Sequence, residues 1–342
     1  MKAFVIDRIT RIEEDPRPLG EMELPEPIPR EGEIVIRLRA CGVCHTELDE
    51  IEGRTPPPEL PVVPGHQAVG VVAATGPGAD RFRLGERVGV GWIYSSCGRC
   101  PFCLSGRENL CPSFLATGRD RHGGYAPFMK VHQDYAFPIP DALTDAEAAP
   151  LLCAGAIGYR SLTLAGLTDG GILGLTGFGA SGHLVLKMAS HLYPKSPVFV
   201  FARRREERRF ALELGAAWAG ETADPPPEPM DAVIDTTPAW LPVVKALGGL
   251  KAGGRLVINA IRKEEADKSS LEGVDYPSHL WMEKEIKSVA NVTRRDIAEM
   301  LRIASEIPIK PAVREYHFHE ANQALRDLRQ KGARGAKVLV FP

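Results

Sequence analysis

Seven cysteines and nine histidines carry most of the chain's metal-binding potential, and the cysteines are unevenly spread. Four of them, Cys97, Cys100, Cys103 and Cys111, fall within fifteen residues. C-x2-C-x2-C-x7-C offers four soft thiolates from one loop, which is what tetrahedral zinc requires. Four sulfurs close the coordination sphere, so this lobe (residues 95–113) is expected to hold a structural zinc and do no chemistry. A disulfide-bonded loop is the alternative. Three further ligand candidates stand elsewhere. Cys44 lies in Cys41-Gly-Val-Cys44-His45-Thr46-Glu47, His66 in Pro64-Gly65-His66-Gln67, and Cys153 in Pro150-Leu-Leu-Cys153-Ala-Gly. Two thiolates and one imidazole would leave a fourth position on zinc for water or substrate, the pattern of a catalytic centre. Taken singly, each would more often be a buried structural residue. Cys41 and Cys44 also have C-x-x-C spacing, but no thioredoxin-like pattern surrounds them, and Cys41 reads as packing.

A second chemistry is written in Gly177-Phe-Gly179-Ala-Ser-Gly182, a G-x-G-x-x-G run. Its glycines permit a tight turn and close approach of a pyrophosphate, and a following helix offers free amides to the phosphates. The end of the next strand carries Ala202 followed by Arg203, Arg204 and Arg205. NAD enzymes usually place Asp or Glu there to hold the ribose hydroxyls. With no carboxylate, and with guanidinium groups able to pair a 2′-phosphate, NADP is expected in preference to NAD. The plainer alternative is a solvated, charged helix start.

The elements that must position these residues fall into three zones. Residues 1 to about 150 are rich in Gly, Pro and β-branched residues, with strand-like runs at Ile34–Leu38, Val69–Ala73 and Arg87–Val90 separated by turn signals. From about 155 to 290 the rhythm changes to strand–helix alternation. Strands are expected at 171–175, 198–201, 232–235 and 255–259, and helices at 181–192, 206–214 and 241–250. That alternation means βαβ units and a parallel sheet. Helices at 296–305 and 320–330 and a last strand at 337–341 form a tail expected to pack back on the first zone.

Composition narrows the partners. The chain has 342 residues, 44% hydrophobic and 25% charged, with a net charge of -2, which implies no nucleic-acid or anionic-membrane partner. No apolar run approaches the ~18 residues that span a bilayer. An odd number of cysteines argues for metal ligation in a reducing compartment over a disulfide framework, so a cytoplasmic protein is expected.

Taken together, the Gly-Val-Cys-His-Thr, Pro-Gly-His and Leu-Leu-Cys-Ala-Gly runs, the four-cysteine lobe, and the glycine loop followed by Glu213-Leu-Gly-Ala216 are in family order. Over nearly its full length the chain resembles the zinc-containing alcohol dehydrogenases of the medium-chain dehydrogenase/reductase superfamily. The Gly-Phe-Gly-Ala-Ser-Gly-His run and Gly-His-Gln resemble the bacterial propanol-preferring branch. The resemblance implies an α/β protein, with a Rossmann cofactor-binding domain at 155–292 and a β-rich GroES-like catalytic domain at 1–154 and 293–342. It implies two zinc ions per chain, one on Cys44, His66 and Cys153 and one on the four-cysteine lobe. It also implies hydride transfer between NAD(P) and small alcohols, aldehydes or ketones.

Further roles follow from the same resemblance. Thr46 would handle the hydroxyl proton, Glu47 would orient the zinc-bound imidazole, His45 and Arg334 would contact the cofactor phosphates, and Trp92 would wall the substrate pocket. Two positions depart from the family pattern. Gln67 replaces a Glu that many relatives have, removing a negative charge near the metal. Asp49 replaces a His that ends their proton relay, which leaves the terminal base open. Dimers and tetramers both occur in the family. A polyol or aromatic aldehyde reductase on the same scaffold, or a non-catalytic dinucleotide-sensing zinc protein, are the rival functions.

Overall fold

The computed structural model of the chain describes residues 1–307, 309–331 and 335–342. The chain folds into two compact units, one formed by Met1–Ala156 with Val292–Pro342 and the other by Ile157–Asn291.

The first unit is organised around one long strand, Glu33–Val43. From Ile36 its residues alternate, with Ile36, Leu38 and Ala40 turned inward and Arg37 and Arg39 outward, as a half-buried strand demands. It pairs antiparallel with Ala68–Thr75, Phe128–His132 and Ala336–Val340. The sheet continues through Arg87–Val90 to Ala136–Pro138 on one side and to Val313–His317 on the other. Register shifts at Val35/Ile36 and Leu38/Ala40 mark irregularities in its pairing with Ala68–Thr75, the devices that bend and re-aim a strand. The expected run 34–38 is thus longer, because Cys41, Gly42 and Val43 are carried inside the sheet.

The second unit is a six-stranded parallel sheet in the order Trp218–Gly220, Val198–Phe201, Leu173–Thr176, Met230–Asp235, Leu250–Ile258, Glu285–Ser288. Numbered by sequence this is 3-2-1-4-5-6, the doubly wound order of dinucleotide-binding folds. The strands Leu173–Thr176 and Val198–Phe201 are wholly buried, and Ala180–Leu192, Arg205–Glu213 and Leu241–Gly248 are the crossover helices. Several outcomes differ from expectation. The strand expected at 255–259 runs from Leu250 to Ile258, and the short strand Trp218–Gly220 was not foreseen. The helix at 241 stops at Gly248 rather than 250, because Gly248 and Gly249 weaken it and Leu250 already pairs with Met230 in the sheet. The edge strand Glu285–Ser288 was not foreseen, since all four of its residues are exposed and it lacks a buried-strand pattern. The α/β class expected from the strand–helix rhythm is the one found.

Candidate active site

The strand Glu33–Val43 delivers the first group of side chains. Directly beyond it Cys44 takes an extended conformation and caps the helix His45–Ile51. Three residues on, Glu47 turns back so that its Oε2 accepts a hydrogen bond from the Cys44 amide at 2.7 Å. This is a capping-box arrangement with a cysteine in the place of the usual Ser or Thr. It fixes Cys44 and aims the other oxygen of Glu47, which lies 2.7 Å from Nδ1 of His66.

His66 arrives on a loop that only glycine can form. Gly65 has φ +95, and a Cβ there would lie 2.4 Å from the Tyr125 ring and 3.0 Å from Cys41 Sγ. Cys41 is fully buried beneath this turn, where desolvation raises its thiol far out of the reactive range. That fits its role as packing. With Nδ1 facing Glu47, the ring offers Nε2, which lies 3.2 Å from Cys153 Sγ. Cys153 sits in a π-helical turn, Leu151–Gly155, which leads into the helix Ala156–Ala165. A wide turn of this kind is often found at functional sites. The helix Arg294–Glu306 packs on it so closely that a Cβ on Gly155 would meet Met300 at 3.1 Å.

The ligand atoms of Cys44, His66 and Cys153 all lie within 4.8 Å of one another. These groups shift one another's titration. A hydrogen bond from Cys153 and the neighbouring His66 hold the Cys44 thiol well below its ordinary range, while Cys153 is pushed up. Burial would lower His66, but the Glu47 carboxylate outweighs it and raises the imidazole well above its usual value. Two half-buried thiols, a buried imidazole and a buried carboxylate fit a divalent metal with soft preferences. Three protein donors leave it an open position.

The other sequence-selected residues near this centre are placed as follows. Thr46 is buried, with Oγ1 3.7 Å from Cys44 Sγ. His45 is exposed at the helix start. Gln67 is buried against Gly42, whose amide donates to the Gln67 carbonyl at 3.0 Å. Trp92 lies in the bend before Ile93–Ser95, with its ring 5.1 Å from Phe114. Asp49 is buried and accepts a hydrogen bond from Arg54 Nε at 2.6 Å. Arg334 lies outside the described residues. Glu50 was not singled out from sequence. It is wholly buried, and neither of its carboxyl oxygens has a hydrogen-bond partner among the described residues. Its place three residues after Glu47 on one helix was the available signal.

The four-cysteine lobe is a second, separate cluster. Its sulfurs also lie within 4.8 Å of one another, with Cys100 and Cys103 3.6 Å apart and Cys97 and Cys103 3.9 Å apart. A disulfide would need about 2.05 Å, and all four cysteines are free. Backbone amides are aimed at the sulfurs, Cys97 N and Ser113 N at Cys111, and Cys103 N at Cys100. The amides of Arg99 and Cys100 draw the Cys97 thiol down to about 6. Buried Glu108 anchors the lobe by accepting from the Arg294 amide at 2.9 Å.

In the second unit, Gly177 (φ +81) turns the chain out of the strand Leu173–Thr176, and Gly179 precedes the helix that contains Gly182. A Cβ on Gly182 would lie 2.7 Å from the Gly177 carbonyl, so the turn closes tightly. At the end of the next strand, Ala202 is buried while Arg203, Arg204 and Arg205 are exposed. Arg208 donates to the carbonyls of Ala202 and Arg203 at 2.9 and 3.0 Å and fixes that turn.

Comparison with known proteins agrees with this architecture. Residues 30–141 match the alcohol dehydrogenase GroES-like domain family. The chain is 40% identical over 332 residues to a Mycobacterium tuberculosis protein named probable alcohol dehydrogenase AdhA, covering 96% of this chain and 94% of that one. It is 33% identical to an alcohol dehydrogenase of Geobacillus stearothermophilus, covering 99% and 98%. Among solved structures, a cinnamyl alcohol dehydrogenase of Sorghum bicolor superposes with a TM-score of 0.83 at 26% identity, covering 99% and 97%. Acetophenone reductase of Geotrichum candidum, in complex with NAD, superposes with a TM-score of 0.84 at 25% identity, covering 99% and 96%. Similarity of this strength along almost the whole length makes the chain a member of the zinc-containing alcohol dehydrogenases of the medium-chain dehydrogenase/reductase superfamily.

Proposed function

We propose that Cys44, His66 and Cys153 hold a catalytic zinc at which this alcohol dehydrogenase interconverts small alcohols with aldehydes or ketones, using NADP(H) in preference to NAD(H). The observation that carries this reading is the convergence of three soft donors from distant chain segments, with Glu47 on the far side of the imidazole. When bound, zinc supplies a Lewis acid that acidifies an alcohol hydroxyl, and the dinucleotide carries the hydride.

The chain's own residues do the positioning. Glu47, fixed on the Cys44 amide, sets the tautomer and orientation of His66. Buried Thr46, two residues from Cys44, accepts the hydroxyl proton as it passes its own on toward solvent. Asp49, which stands where many relatives end the relay, accepts from Arg54 Nε through Oδ1. Gln67 is neutral and leaves Glu47 as the carboxylate on the imidazole. Trp92 forms an aromatic wall that favours small substrates. The four-cysteine lobe holds a second, structural zinc.

Gly177, Gly179 and Gly182 admit the pyrophosphate, with His45 and Arg334 as further phosphate contacts. Arg203 and Arg204 stand exposed at the turn where a ribose 2′-phosphate would sit. Assembly as a homodimer or homotetramer belongs to the same proposal.

Metal analysis, together with an initial-rate panel on both cofactors, tests the reading. Two zinc ions per chain are expected, with Cys44→Ser retaining one and losing activity. One zinc in the wild type, or full activity in Cys44→Ser, overturns it. The panel should run from C2 to C8 and include aromatic substrates, since cinnamyl alcohol and acetophenone name two structural neighbours.

A further inference from the structure

The carboxyl ends of Leu173–Thr176 and Met230–Asp235 lie side by side where the strand order reverses. Open parallel sheets bind their ligands at that point. Asp235 ends the second of these strands and is fully buried. Its Oδ1 accepts from Thr176 Oγ1 at 2.5 Å and from Thr237 Oγ1 at 2.8 Å. Its Oδ2 pairs with Nζ of Lys263, which is only 8% exposed. The same ammonium donates to the carbonyls of Thr237 and Ala239 at 2.9 and 2.8 Å, which uses all three of its donors. It also lies 5.8 Å from the centre of the Trp240 ring.

From the other direction, Asp267 accepts from the amides of Trp240 and Leu241, each at 2.9 Å, where the helix Leu241–Gly248 begins. The segment 236–240 is therefore gripped at its carbonyls by a cation and at its amides by an anion. It presses on the glycine loop. Thr236 Oγ1 donates to the Thr176 carbonyl at 3.0 Å, and a Cβ on Gly177 would lie 2.7 Å from that oxygen and 2.9 Å from Thr237 Cγ2.

A buried ion pair is a poor stabiliser of a fold, because apolar groups of the same size do as well or better. Holding one geometry is a better account of it. We propose that Lys263 and Asp235 are positioning residues of the dinucleotide site, fixing the 236–240 segment as the wall that faces the glycine loop. This rests on the reading of that loop as a dinucleotide site. Neither residue is placed at the reacting atoms, so the pair governs cofactor affinity and leaves the chemical step alone.

The test uses the full-length, zinc-loaded protein. NADPH and NADP binding by fluorescence titration, kcat, and KM for cofactor and alcohol are measured for the wild type, Lys263→Met, Asp235→Asn and the milder Thr237→Val. Thermal midpoints set a temperature at which every variant is folded. The cofactor Kd and KM are expected to rise about tenfold or more in Lys263→Met, with kcat within about twofold of wild type. Lys263→Arg should recover part of the affinity. Should Lys263→Met fail to fold, Thr237→Val carries the test, with a smaller rise in the same two constants. Folded variants with lowered thermal midpoints and unchanged cofactor constants overturn the proposal. So does a loss confined to kcat. A wild type that binds neither dinucleotide overturns the functional reading itself, whereas normal wild-type binding with unaffected variants overturns the clamp alone.

Discussion

Glu47 shows how much one side chain can be made to do. One oxygen closes the cap of its own helix on the Cys44 amide, and the other faces His66. The carboxylate thereby couples two candidate ligands from different parts of the chain. Glu47→Gln keeps the shape but removes the charge. It should weaken zinc binding at this centre about 10- to 100-fold, read by competition with a chromogenic chelator, and leave the four-cysteine lobe loaded. Loss of both zincs together would mean that the substitution acts through folding. A second residue-scale test concerns the cofactor. In the proposed cofactor site Ala202 takes the place of a carboxylate that would favour a ribose diol, and Arg208 donates to its carbonyl. Ala202→Glu should shift the NADP/NAD ratio of kcat/KM toward NAD by about tenfold or more, since a carboxylate repels a phosphate. An unchanged ratio would remove Arg203 and Arg204 from the specificity argument. Ala202 drew notice because a carboxylate is missing there, and Glu47 because of the family resemblance. Glu50, Lys263 and Asp267 did not. Glu50 offered only its spacing from Glu47, and the meaning of Lys263 and Asp267 lies in contacts across the fold.

Among the elements, the ones with strong apolar patterns were read to within a few residues, and those with weak patterns were missed. The buried strands 173–176 and 198–201 announce themselves as apolar runs. The helix His45–Ile51 does not, because six of its seven residues are buried and four of those six are polar or charged. Its polar side chains are turned inward, Glu47 toward His66 and Asp49 toward Arg54. The π-helical turn at Leu151–Gly155 was likewise invisible, since nothing in Leu-Leu-Cys-Ala-Gly distinguishes a wide turn from an ordinary one. What supports that turn is the helix Arg294–Glu306, started by a buried capping box. Thr293 Oγ1 accepts from the Asp296 amide at 3.3 Å, and Asp296 Oδ2 accepts from the Thr293 amide at 2.7 Å. Thr293→Ala removes the cap and should cost about 1–2 kcal/mol, measured by urea unfolding. Because this helix also packs on Gly155, activity should fall before stability is exhausted. Activity that falls only in step with the unfolded fraction would show that the helix does not hold the Cys153 turn.

At the scale of the molecule the two units carry different kinds of stability. All seven cysteines, and both clusters of metal-ligating side chains found among the described residues, belong to the unit formed by Met1–Ala156 and Val292–Pro342. The other unit rests on a parallel sheet with a continuous apolar core, in which Phe199, Phe201, Val233, Leu247 and Leu256 pack together. That contrast was foreshadowed by the sequence, where a turn-rich, cysteine-bearing segment precedes a regular strand–helix alternation. Its consequence follows from linkage. A ligand that binds only the folded state stabilises the part of the protein that holds it, and metal sites couple directly to folding. Stripping zinc with a strong chelator should therefore raise amide exchange in the first unit, most of all across residues 95–113 and around Gly65 and Cys153. Exchange in the strands Leu173–Thr176, Val198–Phe201 and Met230–Asp235 should stay within about twofold of the zinc-loaded rate, because local opening there is set by the apolar core. Hydrogen exchange read by mass spectrometry resolves the two. Equal loss of protection in both units would show that they unfold as one cooperative block, and that zinc stabilises the whole chain rather than the unit whose side chains bind it.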